Sequence, residues 1–190
     1  MPDINDLTQN VNIWDEAKAK AVSIITDGLT ERLAVETVLN NDSNIVTGHQ
    51  YSVVIDALSI GTSSQIPFFL IKNPLASGKV IKILEFIYST TASPTTIRFY
   101  RDPTIITNGT GLTPTNFLKS GIASVATTFR TPTISANGTL LRNIYTELNT
   151  NNPLIVQLNH IVQENENFLV TLQAQSFTTH YLTVIYTELE

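Results

Sequence analysis

The side chains able to carry acid–base or metal chemistry are few and scattered. Three histidines, His49, His160 and His180, stand far apart in a chain of 190 residues that has 16 acidic and 11 basic side chains. A catalytic or metal site needs at least two such groups converging with a carboxylate. Only His160 near Glu164, or His180 across a strand from Glu85, offers that, and the spacing reads more simply as ordinary surface or rim histidines. Cysteine is absent and methionine occurs once, which removes disulfides, thiol nucleophiles and thiolate zinc sites and leaves little for a soft metal. No G-x-S-x-G elbow surrounds a serine, and Ser77-Gly78-Lys79 lacks the rest of a phosphate loop. Glu147, Glu164 and Glu166 fall in polar segments, and Asp27, Asp42 and Asp102 at turns. No carboxylate pair therefore has the apolar setting that raises one pKa for glycoside hydrolysis. The expectation is a protein without a catalytic residue, cofactor or metal.

Binding chemistry is better represented. Tyr100, Asp102, Asn108, Asn137 and Tyr145 place aromatic rings near amides and a carboxylate around the segments 102–114 and 131–143, the combination a saccharide site uses. Trp14, the single tryptophan, stands with Val11 and Ile13 ahead of the main apolar stretches. With Ile24 and Leu33 it forms a candidate anchor that docks on another chain, the kind of buried aromatic that carries interface energy. The alternative is that this cluster belongs to the chain's own core. Asn41, Asn108 and Asn137 match the N-glycosylation pattern, but turn chemistry accounts for the two Asn-Gly copies. A net charge of −5 with so few cations argues against duplex nucleic acid as a partner. No run of about 18 apolar residues suits a membrane helix, and the N-terminal residues lack a signal-peptide layout, so a soluble protein is expected.

The elements that must position these residues read as strands. Apolar residues make up 42% and charged residues only 14%, while 27 threonines supply polarity and favour extended backbone. From Tyr51 onward, alternating runs recur. Val80, Lys82, Leu84, Phe86 and Tyr88 alternate with Ile81, Ile83, Glu85 and Ile87, which predicts a central strand apolar on both faces. Ile97 and Phe99 oppose Arg98 and Tyr100, and similar runs occupy 154–158, 168–174 and 182–186. Asn and Pro turn signals bound them. Many short strands without a helix-length segment between them predict an all-β antiparallel sandwich, most simply a jelly roll, over residues 48–190. Residues 1–47 read as an extended arm. Within it, Asp27-Gly28 predicts a hairpin between VSIIT and LTERLAV, against a helix over DEAKAKAVSII. A near-repeat, PTIxxNGTxL, runs from Pro103 to Leu112 and again from Pro132 to Leu141. It predicts two equivalent corner turns at matching ends of the sandwich.

With those segments in place, the chain resembles small β-sandwich structural proteins of bacteriophage virions: head decoration or cement proteins, head fibres and tail-associated parts. The resemblance rests on DGLTERLAVE, ALSIGTSSQIPFFLIKNPLASGKVIKI, RFYRDPTIITNGTGLTP with TPTISANGTLL, and NFLVTLQAQSFTTHYLTVIYTELE. It spans most of residues 20–190, in turn and strand patterns and not catalytic signatures. It implies a homotrimer assembled in the host cytoplasm and located on the capsid exterior or tail. Its partner would be a major capsid protein, or a tail or portal-vertex protein, met through residues 1–47. The other expectation is a tail- or vertex-associated module that recognises a host glycan.

Overall fold

A computed structural model of the chain describes residues 11–15, 20–24, 49–60, 64–91, 94–118, 121–146, 153–174 and 178–189. The chain divides into two units, Met1–Thr47 and Gly48–Glu190. In the first, β1 (Val11–Asp15) pairs antiparallel with β2 (Lys20–Ile24), placing Val11 opposite Ile24, Ile13 opposite Val22 and Trp14 opposite Ala21. The helix alternative over 15–25 is thus corrected at Lys20–Ile24, which forms one strand of an antiparallel ladder despite the Ala and Lys preference for helix. The Asp27-Gly28 turn and Leu33 lie outside the described residues.

The second unit is all β. Its strands are β3 (Gln50–Ile60), β4 (Ile66–Lys72), β5 (Val80–Thr90), β6 (Thr95–Arg101), β7 (Thr104–Thr107), β8 (Thr110–Leu112), β9 (Thr115–Asn116), β10 (Thr127–Arg130), β11 (Thr133–Ala136), β12 (Thr139–Thr146), β13 (Leu154–Val162), β14 (Asn167–Ala174) and β15 (Thr178–Leu189). They form a six-stranded sheet, β12-β6-β14-β4-β10-β8, a five-stranded sheet, β13-β5-β15-β3-β9, and a two-stranded ribbon, β11-β7. Setting the β7–β11 insertion aside leaves four strands per sheet, ordered β12-β6-β14-β4 and β13-β5-β15-β3. That is the jelly-roll order, in which successive strands change sheet except between β6 and β12.

Alternation explains the core. Ile97 and Phe99 of β6, Phe168, Val170 and Leu172 of β14, and Val53, Ile55, Leu182 and Val184 of the other sheet are all buried in one cluster. Phe86 meets Phe99 edge to face across the sheets, with ring centroids 5.1 Å apart, and Phe99 stacks on Phe168 at 5.9 Å. The alternation expected of β5 changes phase at Leu84. There Ile185 pairs with Glu85 but Tyr186 with Ile83, so a bulge leaves Leu84 unpaired. The core face is therefore Ile81, Ile83, Phe86 and Tyr88, and not the single run Val80–Tyr88 that period two predicts.

The near-repeat has a structural meaning. Shifting by 29 residues maps Arg101 onto Arg130 and Thr110 onto Thr139, and the pairs Thr139–Arg101 and Arg130–Thr110 are both formed. In the ribbon, Thr133–Thr107 maps onto Ala136–Thr104, and Ile134–Ile105 maps onto itself. The same operation exchanges β14 with β4, since Arg101 faces Phe168 and Arg130 faces Phe69, and it leaves the Leu169–Leu70 pair in place. Even the bends agree: Asp102 (φ 51°) donates its N–H to Asn167 O at 2.9 Å and Thr131 (φ 49°) to Phe68 O at 3.0 Å. The six-stranded sheet and its ribbon therefore share a local two-fold axis through Leu70–Leu169 and Ile105–Ile134. The two Asn-Gly corners are its equivalent positions, where Gly109 and Gly138 adopt φ of 84° and 82°. A Cβ at Gly109 would collide with the Arg130 carbonyl, and one at Gly138 with the Arg101 carbonyl. An axis through both pairs puts the ribbon over the outer side of the sheet. Leu70 and Leu169, which point away from the core, are accordingly 0% exposed.

Candidate functional site

Two faces of the sandwich carry features beyond folding. The first is the outer face of the six-stranded sheet beside the ribbon. Arg98 and Tyr100 project there from β6, because Ile97 and Phe99 occupy the core side. Arg98 lies opposite Asn143 of β12 and Thr171 of β14. Its Nη1 donates to Gln65 Oε1 (3.1 Å) and Gln173 Oε1 (3.0 Å), while Gln65 Nε2 donates to the Tyr100 hydroxyl and Thr171 Oγ1, both at 2.8 Å. This network fixes Gln65 at the edge of a cavity of about 430 Å³ lined also by Pro67, Pro132, Ile134, Ser135 and Asn137.

The five residues expected to contact a ligand separate on this scaffold. Tyr100 is not on a loop: it is 7% exposed, inside β6, held through Gln65. Asp102 is at the bend after β6, where its Oδ1 accepts the Asn167 N–H (3.2 Å) and its Oδ2 lies 3.6 Å from Arg101 Nε. Asn108 accepts a bond from Lys72 Nζ at 3.3 Å, and its two-fold equivalent Asn137 lines the cavity. Tyr145 stands on β12, 58% exposed. The axis therefore sets Asn108 and Asn137 on opposite halves of the sheet, and only Asn137 borders the cavity. The sequence reading passed over Gln65 and Arg98. An arginine between Ile97 and Phe99 was the available signal, but its neighbours come from β12 and β14, which no local pattern reveals.

The second face is the outer side of the five-stranded sheet. Ile155, Ile87, Thr183 and Val54 form one row across four strands. Ile155 and Val54 are more than half exposed and Tyr181 lies nearby on β15. The next row is polar at one end, where Gln157 bonds Glu85. Of the residues expected to anchor the chain, Val11, Ile13, Trp14 and Ile24 lie in the β1–β2 ladder, with Val11 in register with Ile24, Ile13 with Val22 and Trp14 with Ala21.

The buried polar groups serve packing. His180, expected near a rim, is 0% exposed in the core, because β15 brings its ring against Phe68 and Tyr88. Its Nδ1 pairs with the Tyr88 hydroxyl at 2.7 Å, its Nε2 has no hydrogen-bond partner among the described residues, and burial pushes its pKa down to about 4. His160 packs against Phe168, and burial lowers its pKa more than Glu166 raises it. Glu188 is buried, and its Oε1 accepts from Ser124 Oγ (2.6 Å), Val125 N (2.8 Å) and Ala126 N (3.2 Å), so it pins the segment before β10. Burial and then the Glu188 charge raise the neighbouring Tyr51 to about 12. Among the described residues no three His, Asp or Glu side chains converge as a metal site would require, and no helix is long and apolar enough to cross a membrane. No family model, no curated protein and no solved structure matches the chain.

Proposed function

We propose that the chain is a non-enzymatic structural protein of a bacteriophage virion, a trimeric decoration protein that binds the capsid exterior through residues 1–47. The observation that carries the assembly part of this reading is the row Ile155, Ile87, Thr183 and Val54, with Ile155 and Val54 more than half exposed, on a sheet whose other face is already packed. Apolar area removed from water is worth about 25 cal/mol per Å² before association costs, so such a face favours life in an assembly. The virion itself rests on the resemblance in the strand and corner motifs. Three copies engaging three identical lattice sites would need only modest affinity at each.

The test is occupancy on purified particles. Deleting residues 1–47 is expected to leave a folded sandwich that no longer binds virions, and unchanged occupancy would overturn the reading. Copy number separates the locations: hundreds per particle mean capsid decoration, a few or a dozen mean a tail or vertex part. A second reading, recognition of a host glycan, draws on the cavity beside Gln65 and Asn137. Its volume lies in the ~300–1,000 Å³ range of small-molecule sites, and its lining sets amides and hydroxyls beside prolines and aliphatics.

A further inference from the structure

We infer that the outer face of the six-stranded sheet binds an acidic saccharide, with Arg98 taking the sugar carboxylate; this rests on the glycan reading and names the chemical class of its ligand. Arg98 is a half-buried cation with no anionic partner among the described residues. Among the described residues it makes no ion pair, and its two bonds go to the neutral amide oxygens of Gln65 and Gln173, both from Nη1. Its nearest positions in register, Asn143, Thr171, Thr96 and Tyr100, contain no carboxylate. A guanidinium has five N–H groups in a rigid fork. Nη2 and Nε therefore keep donors that have no acceptor in the described protein, in the arrangement that receives a carboxylate in a bidentate manner.

The surroundings select a sugar. Among the described residues the cavity lining holds amides, hydroxyls, prolines and aliphatics, and no charged group of either sign. None of these side chains repels an anion, although the chain as a whole carries a net charge of −5. One cation suits one monoanionic group, whereas a polyphosphate would call for several. Tyr145 lies opposite Thr96, one step along the same face from Arg98. Diagonal positions of this kind are roughly 7–8 Å apart, within reach of an aromatic side chain. Its exposed ring can pack on the apolar side of a pyranose while Asn143 and Asn137 bond hydroxyls. Gln65 is a positioning residue. Both its N–H groups go to Tyr100 and Thr171 and its oxygen accepts from Arg98, so it holds the guanidinium in place without needing to touch the ligand.

The experiment is calorimetric titration of the full chain with trigalacturonate and with 3′-sialyllactose, using the methyl ester of the first and maltotriose as neutral controls. At least one acidic probe is expected to bind, and its ester at least about tenfold more weakly, as the loss of a charge-assisted hydrogen bond requires. Arg98→Lys keeps the charge but not the fork, and should cost a similar factor. Tyr145→Ala, at an exposed position that leaves packing intact, should weaken every probe that binds. Equal affinity for acid and ester, with loss in Tyr145→Ala, would overturn the acidic specificity and leave the glycan reading standing. Absence of binding by all four probes, or binding that neither variant changes, would overturn both.

Discussion

The two outer faces of the sandwich obey the same alternation and end differently. On the six-stranded sheet the chain covers its own outer apolar residues: the β7–β11 ribbon lies over Leu70 and Leu169, which become as inaccessible as Phe99 in the core. On the five-stranded sheet, Ile155 and Val54 occupy comparable outward positions and stay more than half exposed. The difference teaches that an outward aliphatic residue has two fates here. Where an insertion returns over the sheet, it makes a second small core; where none does, it stays exposed.

This contrast can be broken at several points. The largest effect is expected from Leu70→Ala and Leu169→Ala, each losing about 2–5 kcal/mol in urea unfolding despite lying outside the main core. The matched changes Ile155→Ala and Val54→Ala should stay within about 0.5 kcal/mol for the isolated chain. Equal losses on both faces would mean the ribbon gives no real cover.

Next in size is a pH effect from His180. Its folded pKa near 4 lies below the ordinary 6.5, so the unfolded chain takes up the proton first as pH falls. Stability should be level above about pH 6.5 and decline between 6.5 and 4 by up to about 3 kcal/mol. His160 adds in the same direction. Urea midpoints across this range should fall less steeply in His180→Leu than in the parent; an unaltered slope would remove His180 as the cause.

The two-fold relation is tested by the glycines. Gly109→Ala and Gly138→Ala should each cost about 1–3 kcal/mol through positive φ, plus the collision with the partner bend, and should resemble one another. Gly78, at φ 66° with open space around it, should lose only about 1 kcal/mol on the same change. A comparably small effect is expected at the end of β15, the middle strand of the five-stranded sheet: Glu188→Gln should cost about 1 kcal/mol by weakening the bonds that hold Ser124 to Ala126. Increased proteolysis of residues 121–126 would report it directly.

Much of this fold was legible because strands announce themselves by period two. The runs around Ile97, Phe168 and Val184 all pointed inward as their spacing predicts, and the Asn-Gly copies were corners. Two kinds of residue were misread. Leu84 lost its place to a bulge, which depends on register with β15 and has no local signature. His180 looked like a rim residue because its isolation from other polar residues in the sequence does not reveal what packs on it. The candidate ligand face was half visible: Asn137 and Tyr145 lie there, while Gln65 and Arg98 acquire meaning only when β6, β12 and β14 are side by side.

The sequence by itself determined the class of structure and the absence of cysteine chemistry, because alternation, turn residues and composition act over neighbouring residues. Only the tertiary structure decided which outward residues are covered, which of two equivalent corners borders the cavity beside Gln65, and that no carboxylate of the described residues lies beside Arg98. Those properties belong to pairs of residues tens of positions apart. Such pairs meet only through strand order and register, which the backbone ladder sets for the whole sheet at once.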